Sequence, residues 1–87
     1  MKADKGQVSQ LLKTARGQLD AVLKMIEEDR YCIDVSNQIL AAQAMLKKAN
    51  RMVLAAHLKG CVQEAVESGG GGKKLDEFIT VLEKMER

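Results

Sequence analysis

Val8, Leu12, Ala15, Leu19, Val22 and Ile26 recur at alternating spacings of four and three. That is the period of a helix with one apolar stripe. Leu11 and Leu23 widen the stripe, so the pattern predicts a first helix from about Lys5 to Glu28. Gly17 lies inside it. A glycine there costs about 1 kcal/mol relative to alanine, and a close helix–helix approach is the expected reason for it. The period breaks at Glu28-Asp29-Arg30, where Asp29 is placed to cap the next helix. Val35, Ile39, Ala42, Leu46, Ala49, Val53 and Ala56 then form the stripe of a second helix, from about Arg30 to Glu67. Ser68 and Gly69–Gly72 end it, and the glycine run predicts a flexible hinge over 69–72. A short third helix, about 73–86, carries Leu75, Phe78, Ile79, Leu82 and Met85 on one face. The pattern contains no strand-like alternation and no internal repeat. The fold class is all-α: two long helices and a short C-terminal one.

Helix length carries the next inference. About 38 residues make the second helix roughly 57 Å long, and about 24 make the first roughly 36 Å. The first cannot cover the second, so apolar surface is left for another chain. An antiparallel helical dimer, or a dimer of dimers, is the expected solution. At 87 residues the chain is one small domain with a thin core of its own.

Composition narrows the class. Aromatics are 2% and proline and tryptophan are absent, which leaves a core of Leu, Ile, Val, Ala and Met. No apolar run approaches the roughly 18 residues of a membrane span. Met1–Gln10 has no apolar segment of the signal-peptide kind. Cytoplasmic residence without membrane attachment is expected, with both thiols free. An enzyme is not expected, because one histidine and no paired acids in a pocket motif give little to work with. Residues 31–62 carry Lys47, Lys48, Arg51 and Lys59 against the single acid Asp34. Residues 1–24 carry Lys2, Lys5, Lys13, Arg16 and Lys24 against Asp4 and Asp20. Several copies would join these into a patch able to hold phosphates.

Three soft or borderline metal ligands stand out: Cys32, His57 and Cys61. His57 and Cys61 are four apart and share one helix face. Cys32 precedes Cys61 by 29 residues on the same predicted helix, which separates the thiols by roughly 43 Å within one chain. In an antiparallel pair of these helices they meet in trans. Position 32 of one chain faces 57–61 of the other when the two-fold axis passes near Met45 and Leu46. Two symmetric sites per dimer follow, one metal per protomer. Two thiolates and an imidazole suit Cu(I), which is soft and accepts low coordination. Zinc usually takes a fourth ligand, for which Glu or water remains available.

At these residues the chain resembles the copper-sensing repressor family (CsoR-like) of small helical bacterial regulators. The resemblance covers nearly the whole length. It rests on Leu12-Lys13-Thr14-Ala15-Arg16-Gly17-Gln18-Leu19, Tyr31-Cys32-Ile33-Asp34-Val35, Lys48-Ala49-Asn50-Arg51 and His57-Leu58-Lys59-Gly60-Cys61. Nickel- and cobalt-sensing relatives carry more histidines, one of them near the N-terminus, where Met1–Gln10 has none. Formaldehyde-sensing relatives usually lack the second cysteine, and persulfide-sensing relatives lack the histidine. The resemblance implies a homotetramer, a dimer of dimers, that binds double-stranded operator DNA when metal-free. Cu(I) binding then releases the DNA and derepresses copper-efflux genes. It implies Cys32 from one protomer and His57 and Cys61 from the other as ligands. It also implies Tyr31 and Glu77 as the residues linking the metal to the DNA surface.

No helix-turn-helix, zinc-finger or RNA-binding motif is present. DNA contact is therefore expected from helix faces: Lys13 with Arg16, and Lys47 and Lys48 with Arg51. Such a surface reads backbone and groove shape, with strong salt dependence. One position departs from the family: relatives often carry a basic residue where Leu11 stands. Three alternatives stay open at this point. One is a thiol or persulfide sensor joining Cys32 to a partner's Cys61. The others are a sensor of another metal such as zinc, and a structural helical oligomer or copper store.

Overall fold

A computed structural model describes residues 1–69 and 72–85, without the side chains of residues 65, 68 and 73–75. It contains three helices: α1 (Lys5–Glu27), α2 (Cys32–Ser68) and α3 (Gly72–Met85). Among the described residues there is no strand, and no helix is long and apolar enough to cross a membrane. Gly70, Gly71 and Glu86, parts of the expected hinge and third helix, lie outside the described residues, as does the side chain of Leu75. Of the remaining hinge positions, Gly69 has φ +73° and Gly72 begins α3.

Asp4 starts α1: its side chain accepts a hydrogen bond from the Gln7 N–H at 3.0 Å. That satisfies one of the donors a helix leaves free at its N-terminus. Asp29 does not cap α2. It takes φ +51° and ends α1 instead. The Asp29 N–H donates to the Ile26 carbonyl (3.1 Å) and the Arg30 N–H to the Met25 carbonyl (3.0 Å). These are the paired bonds of a left-handed helix stop, a conformation Asp tolerates better than most residues. The start of α2 therefore shifts to Cys32, with the Tyr31 carbonyl accepting from the Val35 N–H at 3.1 Å.

The chain divides into two compact units, residues 4–52 and residues 1–3 with 53–87. In the first, Val8, Ala15 and Val22 of α1 and Ala42 and Ala49 of α2 are buried. Both sets are spaced by seven, and none exceeds valine in size, which suits closely packed helices. Of the other stripe members, Leu12, Leu19, Ile26, Ile39 and Leu46 are 41–55% exposed, while Leu11 and Val35 are half-buried. The expected core is thus split, with the small residues buried and the larger ones left outside the single chain. Among the described residues no close approach is made at Gly17: a Cβ built there meets nothing within 4 Å. In the second unit Gly60 and Cys61 are buried, and Phe78, Val81 and Met85 of α3 are half-buried.

Candidate metal centre

α2 brings His57 and Cys61 together on successive turns. His57 Nε2 lies 3.5 Å from Cys61 Sγ. Cys61 is 7% exposed, whereas the imidazole reaches solvent. The spacing tests whether the pair fits a metal. Bonds of about 2.0–2.1 Å to nitrogen and about 2.3 Å to sulfur, joined at a shared ion, put the donors this far apart at an angle of about 110°. The pair fits as two neighbouring ligands of one ion. Among the described residues no group of three His, Cys, Asp or Glu side chains comes together.

Cys32 belongs to the other unit. It is exposed and is the first residue of α2. It lines an open, mainly apolar groove of about 350 Å³ with Ile26, Asp29, Arg30, Val35, Ser36 and Ile39. Tyr31 beside it is 68% exposed. Glu77 is exposed on α3. Neither Tyr31 nor Glu77 makes a side-chain hydrogen bond among the described residues.

The basic residues Lys13, Arg16, Lys47, Lys48 and Arg51 are all exposed. None joins the ion pairs of the described residues, which are Lys2–Glu64 at 3.1 Å and Arg30–Glu28 at 3.9 Å. Lys48 shares a groove with α1, and Lys13 and Arg16 do not line it.

Two features have no local signal in the sequence. The Lys2 ammonium pairs with Glu64, and the end of the Lys2 side chain fills the space a Cβ on Gly60 would take. Residues 57, 60, 61 and 64 follow one helix face, so Lys2 borders the face that carries His57 and Cys61. Nothing in either segment marks a pairing across 62 positions. Gln18 Oε1 is buried without a hydrogen-bond partner among the described residues. Its place one residue after Gly17 is the only sequence cue to a polar group awaiting a neighbour.

Comparisons with known proteins agree with this architecture. The family model for metal-sensitive transcriptional repressors matches residues 4–84. The copper-sensing transcriptional repressor CsoR of Mycobacterium ulcerans is 46% identical over 71 residues, 82% of this chain and 61% of that protein. The chain thus spans about three fifths of the length of that relative. CsoR of Bacillus subtilis is 37% identical over 81 residues, 93% of this chain and 80% of that protein. The crystal structure of CsoR with Cu(I) from Geobacillus thermodenitrificans NG80-2 superposes with a TM-score of 0.85 at 33% identity, covering 100% of this chain and 94% of that one.

Proposed function

The chain belongs to the metal-sensitive transcriptional repressor family, a family of regulators rather than enzymes, and from that membership we propose that it is a Cu(I)-responsive repressor. The observation that carries this reading is the His57–Cys61 pair, two donors 3.5 Å apart with the thiol buried. In an antiparallel dimer, Cys32 of one protomer and His57 and Cys61 of its partner would hold one Cu(I) per protomer. Two thiolate sulfurs and one imidazole nitrogen would suit soft Cu(I), and drawing them from two chains would tie those chains together. Exposed Leu12, Leu19, Ile26, Ile39 and Leu46 support pairing between chains. Two such dimers form the tetramer.

Lys13, Arg16, Lys47, Lys48 and Arg51 are assigned to the operator. Their ammonium and guanidinium groups neutralise phosphates and release counterions. Release of DNA requires that the two-chain arrangement held by Cys32, His57 and Cys61 bind DNA less well than the metal-free one. By linkage, operator DNA then weakens Cu(I) binding by the same factor. Tyr31 and Glu77 are assigned the connection, through hydrogen bonds from the imidazole nitrogen that does not hold the ion. The biological output is derepression of copper-efflux genes in the cytoplasm. A thiol sensor would use the same two cysteines but has no need of an imidazole beside Cys61. The copper-sensing relatives favour the metal as well.

The test is an anaerobic Cu(I) titration of reduced protein against a coloured chelator, followed by operator binding with and without the ion. One tightly held Cu(I) per chain that weakens operator binding is the expected result. Failure to compete with even a weak chelator removes the copper reading.

A further inference from the structure

Between α1 and α2, within the unit formed by residues 4–52, lies a shallow groove of about 280 Å³ lined by Gln7, Gln10, Leu11, Lys48 and Met52. Gln7, Gln10 and Lys48 are exposed, while Leu11 and Met52 are half-buried. Gln7 and Gln10 are three apart on one helix face. Neither side-chain amide has a hydrogen-bond partner among the described residues. The surrounding charge is mainly positive: residues 4–19 carry Lys5, Lys13 and Arg16 with the single acid Asp4, whose carboxylate accepts from the Gln7 N–H, and α2 carries Lys47, Lys48 and Arg51 and no acid from Val35 to Met52. A groove in such a field fits a polyanion.

We propose that Gln7 and Gln10 read base edges in the bound DNA, while Lys48 holds the adjacent phosphate. The inference rests on the DNA-binding reading above and adds the residues that carry sequence preference. Lysine is a point charge and gives little sequence information from a phosphate. A glutamine amide offers a donor and an acceptor together, which match N6 and N7 of adenine in the major groove. Leu11 and Met52 supply the apolar surface that suits a thymine methyl. The groove holds two amides and one cation, a chemistry suited to A·T pairs beside a phosphate.

The experiment enriches DNA from a randomised duplex pool with metal-free full-length protein, then compares wild type with Gln7→Ala, Gln10→Ala and the double variant. Circular dichroism checks that each variant folds, and Lys48→Ala serves as a charge control. The wild type should enrich a motif containing A·T pairs. Each glutamine variant should lose about tenfold or more of the preference for that motif over random DNA, with an unchanged salt slope. Lys48→Ala should weaken binding to all sequences alike and lower the salt slope by about one. A wild type that enriches nothing overturns the DNA reading and this inference with it. A double variant that enriches the same motif with the same preference overturns this inference alone.

Discussion

His57 and Cys61 hold their donor atoms 3.5 Å apart on consecutive turns of α2, with the thiol buried and the imidazole open to solvent. The helix fixes this relationship, because residues four apart stack on one face. Two donors at that spacing fit two neighbouring ligands of one ion. The chain's other thiol begins the same helix in a different unit. In the function proposed above, a second copy would complete the site, and metal occupancy would then be coupled to quaternary arrangement.

The coupling is assigned to Glu77 and Tyr31, which are exposed in the single chain and free to meet groups of another protomer. Glu77→Ala should keep Cu(I) affinity within about threefold while reducing the metal's effect on operator affinity by about tenfold or more, in line with a coupling of about 1–3 kcal/mol. Tyr31→Phe should act in the same direction. Operator affinity measured with and without Cu(I) decides the matter. A Glu77→Ala protein released from DNA as readily as wild type removes Glu77 from the link.

Lys13 and Arg16 are exposed and have no ion-pair partner among the described residues. Replacing either with alanine should weaken operator binding and lower the salt slope by about one for each phosphate no longer neutralised. Cu(I) affinity should not change. An unaltered operator affinity and salt slope in both variants takes this face of α1 off the DNA.

The stop between α1 and α2 depends on Asp29 at φ +51°. Asp29→Gly removes the Cβ from a left-handed position and should leave stability unchanged or raise it slightly. Asp29→Val should cost about 1–2 kcal/mol, because a β-branched side chain resists that conformation. Thermal denaturation of the two variants measures the difference, and equal midpoints contradict the assignment.

Gly17 has open space around a would-be Cβ within its own chain. Gly17→Ala should therefore raise stability by up to about 1 kcal/mol, the helix-propensity gain. A destabilised variant with weakened self-association would place a partner chain against Gly17 and restore the close approach expected from the sequence.

The helical periods were legible because they report local chemistry: the spacings through Val8 and Val22 and through Ala42 and Ala49 define both buried seams. What they do not specify is which half of each stripe the chain buries alone. Leu12 and Val8 look alike by period, yet Val8 is buried and Leu12 is exposed. The Asp29 turn misled because Asp serves both as an N-cap and as a left-handed helix stop. The His57–Cys61 pair could be read from spacing alone, since a helix turn makes it. The groove joining Gln7 and Gln10 to Lys48 could not, because it depends on how two helices pair across about 40 positions.

The central claim is that each site draws Cys32 from one chain and His57 and Cys61 from another. Mixing Cys32→Ala and Cys61→Ser proteins tests it most directly. Each variant alone should lose tight Cu(I) binding. After co-refolding in equal amounts, half of the dimers are mixed, and each mixed dimer keeps one intact site of two. Tight Cu(I) binding should return to about one quarter of the wild-type number of sites. No recovery above the separate variants, with mixed dimers confirmed by mass spectrometry, would contradict a site shared between chains.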